Sequence, residues 1–265
     1  MSHEAVDLFF KRFIIDMLDR LAHGLDQERL KIGHGQRCTV EHVCPFVMRG
    51  VPHRVDAFIE RKRDAPDDDM MKIIRGNMHW HQDNTYMPLQ AKGAVFSAKR
   101  VPSAKGDTAF ADMRAAYDAL DDDMKALIAN LSAHHSLAHS QAELGEETKA
   151  SDSEYIGYGL DVKDVPLRPL VKIHPETGRK TLAVGRHAYG ISDMTGSDSA
   201  ALINRLLQFA VADESRVYQH SWTAGDVVVW DNRCLMHRAC DWDYSEPRVM
   251  LHSRIAGDPV TEAAL

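Results

Sequence analysis

The sequence predicts a mainly β protein with inserted helices, of the antiparallel double-stranded β-helix (jelly-roll) class. Three observations lead there. Short apolar runs bounded by turn residues recur through the second half of the chain, helical spacing occurs only as insertions between them, and the βαβ alternation that builds a parallel sheet is absent.

The elements follow in order. Val6, Phe10, Phe13, Ile14, Met17, Leu18 and Leu21 recur at intervals of three and four, which predicts an amphipathic helix over 5–23 ended by Gly24. Residues 24–66 scatter His34, Cys38, His42, Cys44 and His53 among charges with neither a helical nor a strand period, and Asp67-Asp68-Asp69 caps a short piece reaching Ile74. Ala94 to Val101 reads as a strand, and Pro102 with Gly106-Asp107 as the turn behind it. Two short helices follow, over 111–120 with Asp112 as cap and over 121–131, opened by Asp121-Asp122-Asp123 at the end where a helix favours negative charge. Residues 141–154 are polar and aperiodic, long enough for a lid loop. Leu170 to Val184 predicts a hairpin about Pro175-Glu176-Thr177-Gly178, Ser197 to Val211 a helix through Leu202, Leu206 and Phe209, and Val217 to Trp230 a second hairpin turning at Ala224-Gly225-Asp226. Trp80, Trp222 and Trp230 are expected in the core, where large aromatics contribute most.

With 265 residues, 44% apolar and 27% charged, the chain suits one globular catalytic domain with embellishments. A formal charge of −7 excludes the global basic field that draws proteins onto nucleic acid or anionic membranes, so an anionic ligand must be met by a few placed cations. No run approaches a membrane span and no secretory leader is legible, so the expected location is the cytoplasm. Neither nucleic acid nor membrane is expected as a partner, and self-association is left open. Four cysteines are too few for a disulfide scaffold. Cys234-x-x-His237-x-x-Cys240, with Cys38, His42 and Cys44, has a superficial likeness to a zinc site, but its spacing matches zinc-finger patterns poorly.

His81-Gln82-Asp83 sets an imidazole and a carboxylate two residues apart, which on an extended backbone share a face. A second imidazole would complete the two-histidine, one-carboxylate arrangement that leaves metal positions open to ligands. His237 follows the apolar run 225–230, just past its polar end at Asp231-Asn232. In Arg248 to Ile255, alternation puts Val249, Leu251 and Ile255 on one face and Arg248, His252 and Arg254 on the other. That polar face is either an outer surface or, lining a barrel, an anion site suited to bidentate carboxylate recognition.

The order His81-x-Asp83, Thr108 after 24 intervening residues, His237 after 128 and Arg248 after 10 resembles the signature of the taurine and 2,4-dichlorophenoxyacetate dioxygenase family. The runs GNMHWHQDNTYMP, FADMRAAYDALD, YIGYG, RPLVKIHPETGR, GDVVVWDNRCLMHRA and RVMLHSRIAG are similar, within that family, to the (S)-phenoxypropionate/2-oxoglutarate dioxygenases, over about residues 67 to 259. The resemblance implies an iron(II) enzyme with 2-oxoglutarate and O2 as cosubstrates. His81, Asp83 and His237 would bind the metal and serve catalysis, and Thr108 and Arg248 would hold the distal carboxylate of 2-oxoglutarate. It also implies a small anionic organic substrate of the aryloxyalkanoate type, hydroxylated beside its ether oxygen so that the product collapses to a phenol and an oxo acid. Asn77 matches a pocket-lining position, Arg254 is the candidate cation for the substrate, Arg186 and Lys92 are less favoured alternatives, and His79 is expected to border the site.

Residues 67–265 are thus expected to form the jelly-roll dioxygenase domain, and residues 1–66, which match no recognisable family segment, a divergent and poorly packed N-terminal segment. Competing expectations are a dioxygenase acting on a taurine-like sulfonate or another carboxylate, an inactive binding protein with a defective N-terminus, and a structural zinc protein.

Overall fold

The computed structural model describes residues 75–145 and 164–265 and, of the preceding chain, the backbone of the strand Phe46–Arg49. The expected helix over 5–23, the piece 67–74, most of the loop 141–154, and Cys38, His42, Cys44 and His53 lie outside these residues. Three strands come first: β1 (Phe46–Arg49), β2 (Gly93–Arg100) and β3 (Thr108–Asp112). Two short helices, α1 (Met113–Asp118) and α2 (Asp122–Ile128), lead to strand β4 (Ser132–His135) and helix α3 (Leu137–Ala142). Four strands follow, β5 (Leu167–Pro169), β6 (Val171–Ile173), β7 (Lys180–Leu182) and β8 (Ala188–Ile191). Helix α4 (Gly196–Ala212) precedes β9 (Val217–His220), β10 (Asp226–Asp231), β11 (Leu235–Ala239) and β12 (Val249–Ile255).

Every strand pair is antiparallel. The main sheet runs β1-β10-β2-β12, a second runs β11-β3-β9, and β5-β4-β8 and β6-β7 complete the set. Among the described residues hydrogen bonding does not close these sheets into one barrel. β1, drawn from the unassigned N-terminal segment, pairs along β10 from Phe46 opposite Val229 to Arg49 opposite Asp226.

The two larger sheets pack face to face. Ala94 and Ala98 of β2, Phe110 of β3, Val228 and Trp230 of β10, Leu235 of β11 and Met250 of β12 form one buried cluster with Trp222. Alternation along β3 then sends Ala109 and Ala111 to the opposite side, where they join Met113, Ala116 and Leu206 in a second core beneath the helices. This five-residue strand is therefore buried throughout. The expected helix began at residue 111, but the structure places its start at Met113, with Asp112 as the cap accepting from the Arg114 and Ala115 amides.

Asp121 caps α2 through the Met124 amide, and Thr195 caps α4 through that of Asp198. α4 buries Ser199, Leu202, Ile203, Leu206 and Ala210, one helical stripe, and burying each large aliphatic side chain stabilises by roughly 1.5–3 kcal/mol. The hairpin about residues 175–178 forms as β6 and β7, with Gly178 at φ 69°. The second expected hairpin does not. β9 pairs with β3 whereas β10 pairs with β1 and β2, so the turn at Gly225 (φ 93°) is a corner carrying the chain from one sheet to the other. Trp80, Trp222 and Trp230 are all buried.

Candidate functional site

The site brings together β11 of the second sheet, β12 of the main sheet and the segment carrying His81 and Asp83. His81 and His237 are held opposite one another by a reciprocal main-chain pair, the His81 amide donating to the His237 carbonyl (3.0 Å) and the His237 amide to that of His81 (2.8 Å). His237 is the middle residue of β11, not a residue beyond a strand end. Asp83 stands in a turn, not on an extended backbone, and Asn84 after it takes a left-handed conformation (φ 57°) that asparagine tolerates well. Space for the ligand-bearing backbone comes from Gly185, whose missing Cβ would lie 3.2 Å from the Trp80 carbonyl oxygen and 3.3 Å from the His81 Cα.

The donor atoms of His81, Asp83 and His237 all lie within 4.8 Å of one another, and all three residues are buried. The His81 and His237 Nε2 atoms are 4.0 and 3.9 Å from Asp83 Oδ1. His81 Nδ1 contacts the His79 carbonyl oxygen at 2.7 Å, and donating there leaves the Nε2 lone pair facing the carboxylate. Burial holds His81 neutral down to about 4 and the His237 pKa well below that of a free histidine. Burial alone would raise the Asp83 pKa, but Arg254, His252 and His237 outweigh it and hold the carboxyl well below its usual range. Two neutral imidazoles and one carboxylate converge, and among the described residues the facing atoms, the two Nε2 and Asp83 Oδ1, are not taken up by another hydrogen bond, while Asp83 Oδ2 faces the cations of β12. This donor set fits a divalent first-row metal on one face and leaves the opposite face open to ligands.

The polar face of β12 turns toward this point. His252 Nε2 is 3.2 Å and Arg254 Nε 3.5 Å from Asp83 Oδ2, so neither residue belongs to an outer surface. Arg248, just ahead of β12, donates from Nε to the Gly106 carbonyl oxygen (3.0 Å) and from Nη2 to Thr108 Oγ1 (3.4 Å), beside the Phe96 and Trp242 rings. Burial lowers the Arg248 pKa to about 10, which leaves the guanidinium charged at neutral pH. Thr108 also accepts from the Trp222 indole (3.0 Å), which leaves its hydroxyl hydrogen free to point toward an anion.

Arg186 packs over Gly76, where a Cβ would collide with its guanidinium, and donates to Ser140 and Gln141. Among the described residues no carboxylate pairs with it. Asn77 is exposed, and its main-chain carbonyl accepts from the Ala239 amide. His79 is exposed too and lends its carbonyl to His81. Lys92 bonds to the Ile255 carbonyl through its main chain.

Cys234 does not join His237. Its donor atom groups with His174 and Asp231, and Cys240 stands apart. Asp231 is already saturated by Arg233, at 2.9 Å on one oxygen and 2.6 Å on the other, and by His174 Nε2 at 3.0 Å. The described residues thus give the zinc arrangement no open set of ligands. Asn232, His252 and Arg186 are residues whose placement the spacing alone did not assign. The polar end of the 225–232 run and the β12 alternation were the only signals for the first two.

The taurine catabolism dioxygenase TauD, TfdA family matches residues 18–254. The chain is 60% identical over 202 residues to the (S)-phenoxypropionate/alpha-ketoglutarate-dioxygenase of Sphingobium herbicidovorans, covering 76% of this chain and 70% of that protein. It is 36% identical over 184 residues to the alpha-ketoglutarate-dependent 2,4-dichlorophenoxyacetate dioxygenase of Cupriavidus pinatubonensis, covering 69% and 62%. The crystal structure of AAD-2 in complex with Mn(II) and N-oxalylglycine is similar at a TM-score of 0.67 and 37% identity, covering 76% of this chain and 70% of that one.

Proposed function

Since the chain belongs to the TauD/TfdA family and is a 2-oxoglutarate-dependent dioxygenase, we propose that it hydroxylates an aryloxyalkanoate of the phenoxypropionate type, with iron(II) held by His81, Asp83 and His237. The carrying observation is the buried convergence of two neutral imidazoles and one ionised carboxylate within 4.8 Å. The identity of 60% to a phenoxypropionate enzyme favours that substrate class over a sulfonate. In this reading the two face-to-face antiparallel sheets are the halves of a jelly-roll, and the enzyme works in the cytoplasm on a small anion without nucleic acid or membrane. No helix among the described residues is long and apolar enough to cross a membrane.

When bound, the iron supplies oxidation of a substrate C–H by O2, coupled to conversion of 2-oxoglutarate to succinate and CO2. The protein's residues do the rest. Arg248 and the Thr108 hydroxyl hold the distal carboxylate of 2-oxoglutarate, a charge-assisted pair that fixes the cosubstrate's long axis. Arg254 and Arg186 are the cations available to the substrate carboxylate, with Asn77 at the rim. Arg254 shares its charge with Asp83, whereas among the described residues no carboxylate pairs with Arg186, so we assign the larger share of substrate capture to Arg186. Hydroxylation of the carbon between ether oxygen and carboxylate gives a hemiketal that releases a phenol and a 2-oxo acid. The chemistry resides in residues 67–265, with β1 added to their main sheet, and a protease-stable core that retains turnover tests this division.

The deciding experiment is anaerobic titration of apoprotein with iron(II) and 2-oxoglutarate, followed by exposure to O2 with (S)-2-phenoxypropionate. A visible charge-transfer band and phenol formed one-for-one with succinate are expected. A folded protein that gives neither would overturn the assignment. Arg186→Ala should raise KM for the phenoxypropionate more than Arg254→Ala does, while KM for 2-oxoglutarate stays put.

A further inference from the structure

The three proposed ligands are not held alike. His81 and His237 support each other through paired main-chain hydrogen bonds, one of them within β11. Asp83 sits in a turn, and the main-chain hydrogen bonds that the structure gives it go to a side chain 149 residues away. Asn232 Oδ1 accepts from the Asp83 amide at 2.8 Å, and Asn232 Nδ2 donates to the Asp83 carbonyl oxygen at 2.8 Å and to that of Ala91 at 2.8 Å. The side chain is fully buried. Its own main chain is pinned as well, the amide donating to the Lys92 carbonyl (3.0 Å) and the carbonyl accepting from Gln90 Nε2 (3.5 Å).

We propose that Asn232 is a positioning residue for metal binding: its amide group clasps both main-chain polar groups of Asp83 and thereby sets where the carboxylate stands relative to His81 and His237. The inference rests on the metal reading given above. Only a carboxamide matches these partners. One acceptor and two donors are required, an aspartate could not donate to two carbonyls, and the donor and acceptor identities of the partners fix which way the amide points. The location adds leverage. Asn232 lies in the short turn between β10 and β11, five residues before His237, so one side chain references the Asp83 turn directly to the strand that carries the second imidazole. Outer contacts that orient metal ligands typically change affinity by about ten- to a hundred-fold when removed.

The test is Mn(II) affinity of the full-length protein by calorimetry, with the Co(II) visible spectrum as a geometric readout, alongside thermal melting. Asn232→Ala and the milder Asn232→Ser are compared with Leu206→Ala, a buried α4 position in the core beneath the helices that lowers the melting temperature by packing loss. Ten-fold or greater weakening of Mn(II) binding and an altered Co(II) spectrum in folded Asn232→Ala, with a smaller loss in Asn232→Ser and none in Leu206→Ala, is expected. If Asn232→Ala does not fold, the same comparison on Asn232→Ser decides. Unchanged Mn(II) affinity and Co(II) spectrum in the folded Asn232 variants would overturn the proposal and leave Asn232 a purely structural residue. Failure of the unaltered protein to bind Mn(II), or undiminished binding by Asp83→Ala, would instead overturn the metal reading itself.

Discussion

Among the described residues, two buried clusters bring together residue types that ligate metals, and they differ in how much of their bonding capacity is already spoken for. His81, Asp83 and His237 converge with their facing Nε2 and Oδ1 atoms not taken up by another hydrogen bond among the described residues, and with both imidazoles neutral. His174, Asp231 and Cys234 lie as close together, but Arg233 takes both oxygens of Asp231, Glu176 takes the rest of Arg233, and burial pushes the Cys234 thiol far up, keeping it protonated. A metal could enter the second cluster only by displacing a guanidinium that already neutralises the carboxylate. Proximity of ligand types is therefore a weak criterion, and unsatisfied donor atoms separate a binding site from an internal brace.

Asp83→Ala should abolish turnover and metal binding while leaving the fold standing, and Asp231→Ala should do the reverse. Removing Asp231 leaves Arg233 with Glu176 as its carboxylate and strands His174 Nε2 in the interior, which costs about 1–3 kcal/mol of stability in a urea titration while the Mn(II) affinity of the folded fraction holds. Metal lost equally from both variants would erase the distinction.

Acid should separate the two clusters more gently. His81 is neutral in the folded chain down to about 4 but takes its proton near 6.5 when unfolded. The unfolded state therefore binds more protons between those values, and stability present above 6.5 is lost as the pH falls toward 4, on the order of 3 kcal/mol for this group. Asp231 has a pKa held far below 3.8, so its contribution survives that whole window. Urea midpoints of the apoprotein measured from pH 7 to 4.5 should fall, and fall less in His81→Asn. The smallest effect belongs to Cys234→Ala, expected to cost about 1 kcal/mol by packing loss and to leave metal content unchanged. Loss of metal with the thiol would reinstate the sulfur-rich reading.

What could be read from the sequence follows from how local each signal is. Strand β2, the caps Asp112 and Asp121, the hairpin at 175–178 and helix α4 depend on neighbours a few residues away and stand as expected. β3 was obscured because Thr108–Asp112 is buried on both faces and so shows no polar alternation, while its alanines also suit a helix. The turn at Gly225 was correctly legible as a turn, but whether it joins two paired strands or two sheets depends on β3, a hundred residues earlier. His81, Asp83, Thr108, His237 and Arg248 were legible because their order resembles a family signature, and the structure brings the first, second and fourth together and pairs the other two. Asn232 and Arg186 carried no comparable mark, since their partners are assembled only by the tertiary fold.

The clasp between Asn232 and Asp83 also has a kinetic meaning. It closes over 149 residues, as the His81 and His237 pair closes over 156, so both contacts are among the last that chain-entropy arguments allow to form. The helices and the 175–178 hairpin can arise from short-range contacts well before the site exists. Metal capture during refolding should accordingly trail the recovery of secondary structure, which makes the ion a reporter of the finished molecule and not a seed for its assembly.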